Sequence, residues 1–416
     1  MVTRIAGVIA VLLFNIVIAR VLNLEEAGLF FFVFTMITIL WNVSSMGMFR
    51  SLVKHISRLH DKGGLVKVAM LLNYSLFRVL VISIIFVVLV FVYTYISDSL
   101  FSEDKRVNEI LRVMIYAVPF IAFYNIISYA LQGISRPSIS IAIQSIFTPV
   151  ILILIVGVIN IFNFGIALDY INLSYIFVLA AFVTFACSIY YWLKTIDSNK
   201  YNVKMDRNIN FVLDSNKLFV MNIMGLTVQW SSILILGFFS SNEDVALYSI
   251  ALRISMTTGF ILLVINIVSA PYFAVYFENN NLDKLRKTMI FCNKLIIFLG
   301  MPALLLIFFY ADHILILFGE EYLAAKGYLR VLIIGQLIML YSGSASYVLN
   351  MMNCENKLRK ISIITASTTI CLGLVLVPIY EGLGAAITIS TVIALQGILY
   401  IVEVYKTTRV NLLILR

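Results

Sequence analysis

Residues 68–96 read VAMLLNYSLFRVLVISIIFVVLVFVYTYI, and the nature of the whole protein follows from them. The stretch carries one charge, Arg78. It is otherwise apolar for longer than the ~20 residues a helix needs to cross a bilayer core. A helix half-buried in a soluble domain would show a polar face, and none repeats here. Similar stretches recur along all 416 residues, of which 62% are hydrophobic and 12% charged, with a mean hydropathy of +1.02. That composition excludes a water-soluble globular domain, and the short alternating segments of a closed β-barrel are absent.

Hydropathy predicts spans near 5–22, 27–49, 68–96, 110–131, 139–162, 174–193, 218–239, 246–276, 288–311, 327–352, 361–380 and 383–404. The first, preceded by Arg4, has the outline of a secretory signal. Its likeness to a span in the second half marks it as retained. Net charge is +9. The basic residues gather in alternate connections: Arg50 to Lys67, Arg136, Lys194 to Lys217, Lys284 to Lys287, and Lys357 to Lys360. The opposite connections are short and acidic, with Glu25 and Glu26, Glu243 and Asp244, and Glu320 and Glu321. This is the positive-inside pattern, not a nucleic-acid surface, and it predicts two cytoplasmic termini. The basic loop from Arg50 to Lys67 is expected at anionic lipid heads.

The chain also resembles itself. At an offset of 218, Leu111-Arg112-Val113 falls on Leu329-Arg330-Val331 and Ser128-Tyr129 on Ser346-Tyr347. The same offset lays Glu25-Glu26 on Glu243-Asp244, and an offset of 217 lays Phe91, Tyr93 and Glu103 on Phe308, Tyr310 and Glu320. The expected architecture is therefore an all-α integral membrane protein of about twelve transmembrane helices. Two six-helix lobes, 1–196 and 217–416, flank a cytoplasmic linker at 197–216 and are related by a pseudo-two-fold axis along the membrane normal. Such a pair rocks about a central site in alternating access.

All 21 acidic residues lie in loops or near span ends, whereas Arg78, Arg253 and Lys294 sit inside spans three, eight and nine. A charge at the bilayer centre costs roughly 2.5 to 3.5 kcal/mol on the insertion scale, so three cations without carboxylates predict an anion to face them. A cationic cavity suits a phosphate or diphosphate head group, with Arg78 and Lys294 near-equivalent in the repeat. The alternative for Arg253 and Lys294, each about two turns from a span end, is a side chain that snorkels outward. Asn15, Asn125, Gln144, Asn266 and other polar residues in the spans are expected chiefly to bond between helices. Pro119, Pro149, Pro271 and Pro302 mark expected kinks. Four cysteines and three histidines show no disulfide or metal spacing, and no phosphate-binding G-x-x-x-x-G-K-[ST] loop occurs, so neither a metal nor another cofactor is expected.

The stretch from Phe14 to Leu22, followed by Glu25-Glu26-Ala27-Gly28 and Gly47-Met48-Phe49-Arg50, resembles the opening of bacterial polysaccharide flippases. Tyr248 to Arg253, Leu131-Gln132-Gly133 and Leu317 to Tyr322 resemble further signatures of that family, a branch of the multidrug/oligosaccharidyl-lipid/polysaccharide exporter superfamily. The family's Leu-Gly-Pro after the arginine is replaced here by Val21-Leu22-Asn23-Leu24, which leaves the subfamily open. The resemblance implies a transporter and not an enzyme: a flippase of the bacterial cytoplasmic membrane carrying undecaprenyl-diphosphate-linked saccharide units for O-antigen or capsule assembly. It further implies contact with membrane lipid and with the polysaccharide polymerase machinery, and a diphosphate site to which Arg253 matches. The other reading is a cation- or proton-coupled multidrug exporter of the same fold, which ordinarily needs a carboxylate within a span. A membrane glycosyltransferase should show catalytic acids or a large outer loop, and neither is present.

Overall fold

The computed structural model describes residues 2–61, 65–96, 104–162, 165, 167–195, 209–279, 281–352 and 354–408; among them it holds helices and no strand. Two compact units emerge, Met1–Ile223 and Met224–Arg416.

The first unit contains α1 (Val2–Val21), α2 (Leu24–Ser44), α3 (Met48–Asp61), α4 (Leu65–Ile96), α5 (Lys105–Met114), α6 (Ala117–Gly133), α7 (Pro137–Ala142), α8 (Thr148–Phe162) and α9 (Tyr170–Thr195). A π-helical segment, Ile143–Phe147, joins α7 to α8. α6 is the hub, packed by α3, α4 and α9. At Gly133 a Cβ would stand 2.8 Å from Ile56 of α3, so only glycine allows that approach. Phe30 and Phe34 of α2 meet Phe177 of α9, the Phe34 and Phe177 rings 5.5 Å apart. Lipid chains are as apolar as leucine, so interhelical hydrogen bonds contribute alongside packing, about 0.6 kcal/mol each. Gln144 donates to Ser128 at 2.8 Å, and the Thr148 and Thr184 hydroxyls lie 2.9 Å apart.

The connection expected as a basic loop is mostly α3. Phe49, Leu52 and Ile56 are spaced to share one face, which is buried, while Lys54 and Arg58 take the other. Phe49 stacks on Tyr129 at 4.8 Å. The charges obscured the apolar period in the sequence. Of the linker expected at 197–216, residues 197–208 lie outside the described residues and 209–216 form the first turns of α10 (Ile209–Phe239), inside which the unit boundary falls.

The second unit continues with α11 (Asn242–Met256), α12 (Gly259–Glu278), α13 (Leu282–Phe309), α14 (Ala311–Ile316), a 3-10 turn (Glu320–Ala325), α15 (Lys326–Ser342), α16 (Ala345–Met351) and α17 (Glu355–Thr408). α15 packs on α11, α13 and α17. Ser390 of α17 donates to the Val331 carbonyl at 2.7 Å beside Gly335, where a Cβ would stand 2.6 Å from the Ser390 Cα. The 54 residues of α17 are too many for one crossing, at ~1.5 Å per residue, and Glu381 (φ 50°, ψ −129°) breaks them. Pro378 removes one amide donor just before that break. The two halves run back along each other, since Lys357 near the start pairs with Glu403 near the end at 2.6 Å.

Ten helices among the described residues are long and apolar enough to cross a membrane, or eleven if α5 and α6, bent by 42°, count as one span. Helix boundaries repeat at a spacing of 218. Asn23 caps α2 by accepting from the Glu26 amide, and Ser241 caps α11 by accepting from the Asp244 amide. The same spacing separates the ends of α6 and α16, the starts of α7 and α17, and the end of α8 from the last residue before Glu381. Pro271 and Pro302 lie inside helices, Pro149 follows the π-helical segment within the continuous run Pro137–Phe162, and Pro119 occupies the first turn of α6 after the bend from α5, where a missing amide proton costs little.

Candidate functional site

Arg253 lies in the last turn of α11, just before a short 3-10 step at Thr257 and Thr258. The helix tightens at this depth and does not stop: Thr257 and Thr258 keep right-handed helical dihedrals, the amides of Thr257, Phe260 and Ile261 bond to carbonyls three residues back, and the chain runs on into α12 as one apolar span. Ser255 donates to Leu252 O at 2.8 Å, Thr257 to Ile254 O at 2.7 Å and Thr258 to Ser255 O at 2.8 Å. Hydroxyls bonded back to the preceding turn compete with the backbone ladder and often bend a helix. Around Arg253, Tyr248, Ser249, Leu252 and Ile254 are buried.

Arg78 occupies a comparable place in the first unit. Its Nη2 lies 3.3 Å from the Met46 sulfur, and Met46 (φ 44°) and Gly47 (φ 70°) form the turn between α2 and α3. That turn is fixed from the other side by α10: a Cβ on Gly47 would stand 2.5 Å from the Ser215 carbonyl oxygen and 2.6 Å from the Phe219 amide nitrogen. α2 and α11 are the helices with matching caps; Arg78 lies against the turn that follows α2, and Arg253 precedes the 3-10 step that follows α11.

Lys294 is placed differently. α13 buries Leu285, Met289, Cys292, Asn293, Ile296, Gly300 and Leu304, while Lys294 lies on the exposed stripe opposite. Among the described residues it forms no ion pair.

The repeat arginines prove to be packing groups. Arg112 donates to the Thr94 carbonyl near the end of α4, and the Arg330 guanidinium sits 5.2 Å from the centre of the Phe308 ring near the end of α13. Sequence reasoning singled out Asn266 as a bond between helices but missed its partner Asn293 in a clamp of the second unit. Asn266 of α12 donates to the Gly343 carbonyl at 3.4 Å, and Asn293 of α13 accepts from the Ser344 amide at 3.0 Å. Both bonds go to one peptide group, at the break between α15 and α16 where Gly343 has φ 52°. Asn293 was hidden by its neighbour Lys294, whose charge drew attention to the opposite face of α13.

Residues 1–277, two thirds of the chain, match the family described as polysaccharide biosynthesis protein. The chain belongs to that family. Residues 218–379 also match the MatE family. Over 181 residues the protein is 25% identical to "Probable flippase AglR" of Haloferax volcanii, a match covering 43% of this chain and 38% of that relative's length. An inward-facing multidrug resistance transporter of the MATE family within the MOP superfamily aligns over 98% of both chains, with a TM-score of 0.78 and 16% identity. The lipid II flippase MurJ in an inward closed conformation aligns over 97% of this chain and 85% of its own, with a TM-score of 0.71 and 16% identity. The family member thus has the all-helical fold of these membrane transporters, and its family and neighbours are transporters and flippases, not enzymes.

Proposed function

We propose that this family member is a flippase for undecaprenyl-diphosphate-linked oligosaccharide, serving surface polysaccharide assembly in the bacterial cytoplasmic membrane. The observation that carries the reading is Arg253 inside the span formed by α11 and α12, in a chain whose described spans hold no carboxylate in their middle turns. A cation so placed calls for an anionic cargo. Arg253 is the anchor for the diphosphate, Arg78 the second cation, and Lys294 a third. Counting α5 with α6 as one crossing and α17 as two gives twelve helices in two six-helix lobes, with boundaries near 1–196 and 217–416. An even number leaves both termini on the same side, the cytoplasmic one by the distribution of lysine and arginine. The pathway's polymerase would receive the product.

These cations draw the head group across by alternating access while the isoprenoid tail stays in the bilayer. An inside-negative potential repels the anion outward, worth about 4.6 kcal/mol per 100 mV for two charges. The MatE match over residues 218–379 favours a second reading, a cation- or proton-coupled drug exporter. The experiment that separates them is gene deletion followed by quantification of undecaprenyl-diphosphate-linked saccharides, with complementation by the native gene and by Arg253→Ala. A lipid-linked unit that accumulates and is cleared only by the native gene supports the flippase. Unchanged lipid pools with new drug sensitivity support the exporter.

A further inference from the structure

The exposed stripe of α13 has a composition that neither water nor a plain lipid contact explains. At 100° per residue, Lys284, Lys287, Phe291, Lys294 and Phe298 fall within an arc of about 80°. All five are exposed, Phe291 at 66% and Phe298 at 74%. Farther along, Leu305 and Phe309 continue the stripe, with Phe309 70% exposed. A face this apolar on a membrane-spanning helix meets lipid chains. Two lysines mark its basic end, but Lys294 is seven residues farther in, about 10 Å along the axis. A snorkelling lysine covers only part of that distance. Its ammonium is therefore served best by a phosphate drawn below the ordinary head-group plane, with the attached chain lying along Phe298 and Phe309.

We propose that this stripe is a loading track for a polyprenyl diphosphate: Lys284 and Lys287 receive the diphosphate at the surface, and Lys294 holds it one step deeper while the isoprenoid chain rests on the exposed phenylalanines. The inference rests on the flippase reading above and adds to it a first docking site, separate from Arg253. Two ammonium groups one helical turn apart match the two linked phosphates of a diphosphate better than the single phosphate of a glycerophospholipid.

The test uses full-length protein in nanodiscs containing undecaprenyl diphosphate and a tenfold excess of phosphatidylglycerol, with p-benzoyl-phenylalanine in place of Phe298. Illumination should attach undecaprenyl diphosphate. Lys294→Gln should lower the yield at least fivefold, Lys294→Arg should restore it, and Arg253→Gln should change it less than twofold. Attachment of phosphatidylglycerol alone overturns the track. So does undecaprenyl diphosphate that native mass spectrometry finds bound and lost in Arg253→Gln but that never attaches at position 298, a result that leaves the flippase reading standing. If the native protein binds no undecaprenyl diphosphate at all, the flippase reading fails and the track fails with it.

Discussion

Replacing Gly343 by alanine should unsettle the second unit by an amount that can be worked out from two separate costs. Gly343 has φ 52° and ψ −116°, a conformation close to glycine-only space, and forcing alanine into it costs about 1–3 kcal/mol. The new methyl would also stand 2.0 Å from the Asn293 Oδ1 and 2.5 Å from its Cγ. Asn293 must then move, and the buried Ser344 amide loses its acceptor, for another ~1–3 kcal/mol. The sum, about 2–6 kcal/mol, corresponds to a fall in Tm of roughly 5–20 °C for a unit of this size. Trp230 lies in the second unit, so a background with Trp41 and Trp192 replaced by phenylalanine reports its unfolding alone. Asn293→Ala supplies the decisive control. It removes the obstacle, so Gly343→Ala in that background should cost only the backbone strain, and the pair should be non-additive by about 1–3 kcal/mol. Additivity within about 0.5 kcal/mol, or an unchanged Tm for Gly343→Ala, would refute the clamp.

Gly47→Ala places a methyl against backbone atoms of Ser215 and Phe219, which no rotamer change relieves, and should prevent recovery of monodisperse protein. Gly157→Ala, in open space, should be tolerated in the same size-exclusion assay. Asn23→Ala and Ser241→Ala each remove a helix cap in a different unit; thermal melts should show losses of ~1 kcal/mol apiece that add in the double variant. Arg253→Ala should lower the flipping rate in vesicles by roughly 10- to 100-fold, the worth of one or two charge-assisted bonds, and Arg253→Lys should recover part of it. Collapsing an inside-negative potential should slow export by the native protein; an unchanged rate removes the electrical driving force from the account.

Much of the architecture was legible because lipid imposes a simple rule on sequence: a span must be apolar and long. Even the break at Glu381 fell between two expected spans, since a 54-residue apolar stretch cannot cross once. The 218-residue repeat was legible through Glu25-Glu26 and Glu243-Asp244, which prove to stand in the first turns of helices with matching caps. The helix breaks were less legible. Of the four prolines expected at kinks, Pro119 stands just after the 42° bend between α5 and α6, whereas the turns at Met46-Gly47 and Gly343 are set by backbone conformation and close packing that leave no compositional mark. Charge alone singled out Arg253, Arg78 and Lys294. It could not tell that Arg78 sits against the Met46 turn while Lys294 lies on an exposed stripe, because that depends on which face each helix buries.

The most direct test of the central claim reconstitutes the full-length protein in vesicles loaded symmetrically with an undecaprenyl-diphosphate-linked saccharide, then follows its oxidation by a reagent confined to the outside. The account predicts that the oxidisable fraction rises from about half toward completion with the native protein, and far more slowly with Arg253→Ala. A fraction that stays near half with the native protein, while the same vesicles transport a cationic drug, would contradict it.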